Sequence, residues 1–169
     1  MKILLVVCVL AVLLTGCGAE PVWETVADEW QVPVMAQAQK IWLQLPENAA
    51  METFGGQDGS QLYVCGDMTV CVQTLAGGDL DRTLRQTTGF GKEAVSLMQW
   101  GNTYECAWIA AGETELQVGR TRILEEGDYH YAVSVSVPET QAGQLQGQVR
   151  QVLDSMMLVD PDFRINTGS

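Results

Sequence analysis

Residues 129–137 read YHYAVSVSV, and no other stretch restricts the fold so strongly. Tyr129, Tyr131, Val133, Val135 and Val137 fall on one side, and His130, Ala132, Ser134 and Ser136 on the other. That period of two belongs to a β-strand and excludes a helix. The first side is large and apolar. The second is small, which suits close packing by a helix better than open water.

The surrounding sequence extends this strand into a sheet. Leu116 to Leu124 precedes it across a Glu126-Gly127-Asp128 turn, the pattern of a hairpin. Two similar pairs lie upstream, Leu62–Cys65 with Met68–Leu75 around Gly66-Asp67, and Ala94–Trp100 with Thr103–Ala110 around Gly101-Asn102. Gln39 to Leu45 alternates until Pro46 stops it, and Ala50 to Phe54 is a further strand closed by Gly55-Gly56. Between the hairpins Asp79 is a helix N-cap, Leu80, Leu84 and Thr87 share a face, and Gly89 is a C-terminal stop. After Pro138, Glu139 to Met157 reads as the longest helix, with Leu145, Val149, Val152, Leu153 and Met156 forming an apolar stripe. Gly143 and Gly147 in that helix each cost up to about 1 kcal/mol relative to Ala, so close contact with the sheet is expected there. The expected class is α+β, an antiparallel sheet of about six to seven strands flanked by helices.

The Leu62–Leu75 hairpin followed by LDRTLRQ, and YHYAVSVSVPE followed by QVRQVLDSM, resemble the PsbP-like α/β/α sandwich over Ile41 to Leu158, roughly 70% of the chain. The resemblance implies a fold and carries no site residues, because fold does not determine function.

The N-terminus concerns address. Lys2 precedes an apolar run from Ile3 to Leu14, too short for the roughly 20 residues of a membrane span. The run ends in Leu14-Thr15-Gly16-Cys17, which is similar to the bacterial lipobox. The resemblance implies cleavage before Cys17 and a diacylglyceryl group, with palmitate-like chains, on its thiol. Two acyl chains suffice for stable anchoring where one is marginal. The expected organisation is therefore a signal peptide over 1–16, a lipidated tether over 17–38, one domain over 39–160 and a tail over 161–169. The domain would sit as a monomer on the extracytoplasmic side of a membrane, held there through Cys17, and the sequence names no protein or envelope partner.

Nine Lys and Arg stand against 21 Asp and Glu, for a formal charge of −12. A chain so acidic, without a basic cluster in sequence, is not expected to bind nucleic acid. The acids do not form a twelve-residue cation loop, and one histidine with the spacing of Cys65, Cys71 and Cys106 makes no zinc pattern, so no metal or cofactor is expected. Those three thiols read as buried and inert, with one disulfide as the alternative. No nucleophile elbow, zinc-protease, P-loop or dinucleotide motif occurs. Cys106 with His130 is the one candidate nucleophilic pair, against the simpler reading of a half-buried sheet histidine. Arg120 and Arg122 alternate on one strand face, where they can pair with Glu105 or receive an anionic ligand. Trp100, Tyr104, Trp108, Tyr129 and Tyr131 read as core, or as an aromatic-lined pocket. The expected function is a non-enzymatic binding or accessory module of the cell envelope; an envelope hydrolase, or a structural or assembly factor of a membrane complex, is the alternative.

Overall fold

The computed structural model describes residues 37–52 and 60–162. The signal segment, Cys17 with its Leu14-Thr15-Gly16 motif, most of the tether, Phe54 with the following glycine turn, and the tail beyond Asp162 lie outside the described residues.

Among the described residues there are nine strands and two α-helices. The strands are β1 (Lys40–Trp42), β2 (Ala50–Glu52), β3 (Gln61–Cys65), β4 (Met68–Ala76), β5 (Ser96–Trp100), β6 (Thr103–Ala111), β7 (Leu116–Glu126), β8 (Tyr129–Pro138) and β9 (Met157–Val159). The helices are α1 (Leu80–Thr88) and α2 (Ala142–Asp154). Seven strands form one antiparallel sheet in the order β2-β3-β4-β8-β7-β6-β5, and β1 pairs with β9 in a separate two-stranded ribbon. The three expected hairpins are present, and the central position of β8 explains why its sequence is patterned on both sides. Its neighbours are β4, with Val70 opposite Val135, and β7, with Thr121 opposite Ser134.

Each face of β8 meets a different helix. Tyr131, Val133, Val135 and Val137 are buried with Met68, Val70 and Val72 against Val149, Val152, Leu153 and Met156 of α2. Burying each such aliphatic side chain is worth about 1.5–3 kcal/mol, so this layer carries most of the core. On the small-residue side, Ala132 lies with Cys106 and Ile123 beneath Leu84 of α1, which is fully buried. The helix expected over the small side chains is therefore α1.

Local signals at α1 hold in detail. Asp79 is extended and accepts from the Arg82 amide at 3.0 Å, and Gly89 closes the helix at φ 81°, a left-handed value that glycine adopts without strain. Asp79→Ala is expected to cost about 1 kcal/mol in urea unfolding, since it strands a first-turn amide.

Two expectations fail at the chain's ends of the domain. The terminal helix begins at Ala142 after a 3-10 turn, Glu139–Gln141, and ends at Asp154, and Met157 opens β9 instead of closing the helix. Met157, Leu158 and Val159 are apolar in a way that fits helix or strand; the partner strand decides, Lys40 opposite Val159 and Trp42 opposite Met157. Ser155 terminates the helix by donating to the Val152 carbonyl at 2.7 Å while its hydroxyl accepts from the Gln44 amide at 2.9 Å. The Gln39–Leu45 strand accordingly shrinks to β1 and stays off the main sheet. Ile41, Leu43 and Leu45 pack beside α2 on the same core.

Candidate functional site

The alternation of β7 places Arg120 and Arg122 on the face covered by α2, where the register puts Arg122 opposite Glu105 of β6. Glu105 is 1% exposed, and a carboxylate so buried demands compensation. Arg122 supplies most of it: Nη2 and Nε donate to Glu105 Oε2 at 2.8 and 3.2 Å. Its other donors tie β7 to the end of α2, with Nη1 to the Leu153 carbonyl at 2.7 Å and Nη2 to Asp154 Oδ1 at 2.8 Å. Arg120 Nη1 donates to Glu105 Oε1 at 3.3 Å, and Arg150 Nη1 from α2 lies 3.6 Å from the same oxygen. Arg150 Nε also donates to Asp154 Oδ2 at 3.1 Å, and the bond from Arg122 with this one holds the Asp154 carboxyl below the ordinary range. The guanidinium of Arg122 lies 5.8 Å from the Trp100 ring centroid, within cation–π range.

Three guanidinium groups thus converge on two carboxylates, a local positive surplus in a chain of charge −12. The surplus sits beside open space. Between β7 and α2 a groove of about 350 Å³ is lined by Arg120, Gln146, Gly147 and Arg150. It shares Arg120 and Gln146 with a more apolar groove of about 260 Å³, lined also by Val118, Val137, Ala142, Gly143 and Val149. Here the expectation for the helix glycines is corrected. A Cβ built on Gly143 or Gly147 would meet nothing within 4 Å, so contact with the sheet does not require either glycine. They border the groove instead. Past the arginines three apolar side chains of β5 and β6 are open on this face, with Met98, Trp100 and Ile109 at 54%, 48% and 58% exposure.

The other face holds a buried polar row. Thr121 and Ser134 hydroxyls lie 2.8 Å apart, Trp108 Nε1 donates to Thr121 at 3.0 Å, and His130 Nδ1 lies 2.7 Å from the Thr83 hydroxyl of α1. Cys106 and His130 are both buried on this face, but the structure does not bring them together. Cys106 is level with Thr121 and Ser134, whereas His130 lies two strands away and four residues along. Strand spacings place their Cα atoms about 16 Å apart. His130 Nε2 instead faces Glu125 at 3.8 Å.

Burial pushes the Cys106 thiol up to about 11, outweighing the opposing hydrogen bonds from Thr121. The thiolate is the reactive form, so native Cys106 is expected to resist a disulfide-exchange reagent at pH 8 and to react on unfolding. Rapid labelling of the folded domain at Cys106, located by mass spectrometry, would contradict this. Cys65, Cys71 and Cys106 are free thiols. Cys65 shares the α2 side of the sheet with its register partner Met68, Cys71 is level with Ser134 on the α1 side, and three strand steps separate Cys71 from Cys106.

The five aromatics do not line one pocket. Trp100, Tyr129 and Tyr131 are on the α2 face and Tyr104 and Trp108 on the other. Among the described residues no group of three or more His, Cys, Asp or Glu could hold a metal ion, and no helix is long and apolar enough to cross a membrane. The sequence reading missed Arg150 and the grooves. Gly143, Gly147 and Arg150 are spaced i, i+4, i+7, which puts them on one helical stripe and was the available signal.

The cyanobacterial PsbP protein (CyanoP) from Synechocystis sp. PCC 6803 is similar in structure, with TM-score 0.51 and 8% identity over 75% of this chain and 96% of that one. The fold is PsbP-like. The Ran-binding protein Mog1p of Saccharomyces cerevisiae matches with TM-score 0.49 and 14% identity over 71% of this chain and 90% of its own. A protein from Bacteroides thetaiotaomicron VPI-5482 matches with TM-score 0.48 and 14% identity over 74% of this chain, which spans only 47% of that longer chain. No protein-family model and no curated protein matches the sequence.

Proposed function

We propose that this chain is a lipid-anchored, extracytoplasmic binding module without catalytic activity of its own, and that it contacts its ligand through the α2 side of β5, β6 and β7. The observation that carries this reading is the half-covered sheet face. A hydrogen-bonded arginine cluster stands beside exposed Trp100, Met98 and Ile109, where a domain without a partner would place polar side chains. Leu14-Thr15-Gly16-Cys17 supports the address, since a thiol following small residues is the acceptor that diacylglyceryl transfer uses. The separation of Cys106 from His130 supports the absence of nucleophilic chemistry.

Membrane fractionation with intact-mass analysis tests the anchor. Wild-type chain is expected in the membrane with an acylated Cys17, and Cys17→Ser is expected to keep its leader and carry no acyl mass; an unmodified Cys17 in the wild type would overturn it. Tryptophan emission tests the face, compared between wild type and Trp100→Phe across a panel of envelope components. A change lost with Trp100 supports the surface, and unchanged emission throughout discards it.

A further inference from the structure

The paired grooves between β7 and α2 assign a more specific ligand, and this inference rests on the binding-module reading above. We infer that they hold a small anionic amphiphile, with a phosphate or carboxylate head between Arg120 and Arg150 and a short aliphatic tail along Val118, Val137, Ala142 and Val149.

The head-group end is suited to an anion by charge and by spare donors. A guanidinium carries five N–H groups. Among the described residues Arg120 donates one hydrogen bond, to Glu105, and Arg150 donates one, to Asp154. Both are still accessible, at 37% and 56% side-chain exposure, and both line the larger groove. Arg120 is bonded to Glu105, and Arg150 is bonded to Asp154 with Glu105 Oε1 at 3.6 Å, so part of the ordering cost of these long side chains is met before binding. Gln146 adds an amide at the junction of the two grooves.

The tail end is suited by its apolar lining, with Val137 and Val149 continuous with the core. The glycines give the independent observation. Each weakens α2 by about 0.8–1.0 kcal/mol relative to Ala. Among the described residues nothing occupies the space their missing side chains leave, and both border the grooves. A residue type that destabilises its helix without serving any internal contact is accounted for by a ligand that lies against the helix backbone.

The test uses the folded domain with octyl phosphate, octanoate, octanol and inorganic phosphate, all below micelle-forming concentrations, followed by amide NMR shifts and calorimetry. Octyl phosphate or octanoate is expected to bind with shifts clustered at Val118 and Ala142–Val149, and which of the two binds more tightly identifies the head group. Arg150→Gln is expected to weaken binding about tenfold, the effect of losing one charge-assisted contact. Gly147→Leu, whose side chain enters open space, is expected to block binding with Tm unchanged or raised. Equal affinity for octanol, equal affinity for inorganic phosphate, or binding unaffected by Gly147→Leu would overturn the inference. Absence of binding by any amphiphile, with Trp100 emission still responding to an envelope component, would overturn it too while leaving the broader reading standing.

Discussion

Glu105→Leu is expected to lower the unfolding free energy by about 3–5 kcal/mol, with a fall of roughly 10–20 °C in Tm. The reason is the charge left behind more than the bonds lost. Arg122 is only 12% exposed on its side chain, and without Glu105 it keeps Asp154 and the Leu153 carbonyl but loses its buried counter-ion. Three guanidinium groups are then left with the single, half-exposed carboxylate of Asp154, and Arg120 is without a partner among the described residues. Two further variants separate this account from simple loss of packing. Arg122→Met in the Glu105→Leu background removes the stranded charge and should recover part of the stability, because buried ion pairs are often no better than apolar residues of similar size. Glu105→Gln keeps the volume and should still destabilise. Urea unfolding of these three variants and of Arg122→Met alone checks both statements; additive losses in the double variant would show that the pairing carries no coupling.

Gly119→Ala is expected to destabilise by about 3 kcal/mol, a large effect for one methyl group. Gly119 lies opposite Trp108 in the β6–β7 register, and a Cβ there would come within 2.1 Å of the indole Cε2 and Cζ2 atoms. The indole cannot swing clear without giving up the bond from its Nε1 to Thr121 and its 6.4 Å contact with the Phe90 ring. The effect therefore depends on the indole. In a Trp108→Leu background the same Gly119→Ala change should cost less than about 1 kcal/mol, a coupling of about 2 kcal/mol in a double-mutant cycle. Equal costs in both backgrounds would place the strain elsewhere.

How much of this was legible follows from the range of each signal. The hairpins and α1 were readable because their cues are local: Gly-containing turns, alternation, Asp79 as a cap, Gly89 as a stop. The assignment of small side chains on β8 to a helix-covered face was readable because alternation is set by the pleat alone. β9 was not, because Met157-Leu158-Val159 has no periodicity of its own and becomes a strand only through Lys40–Trp42, more than a hundred residues away in sequence. The arginine site was half legible. Arg120, Arg122 and Glu105 are brought together by the β6–β7 register, and the alternation of the two arginines on one strand face was enough to name Glu105 as a partner. Arg150 arrives on a helix whose angle across the sheet no local pattern encodes. The purpose of Gly143 and Gly147 was misread for a related reason, since a glycine that admits a neighbouring helix or sheet and one that leaves a vacancy look the same in sequence.

The strand order has a kinetic corollary. β2-β3-β4 is one meander and β5-β6-β7-β8 another, each built from hairpins between sequential strands. They are welded at a single seam, the β4–β8 ladder running from Thr69 opposite Ser136 to Ala76 opposite Tyr129. Either half can zip locally, but the seam closes a loop of more than fifty residues, and contacts of that separation set the pace of β-rich domains. Closing that seam at Val70, Val72, Val133 and Val135 is therefore expected to be the slow step of refolding.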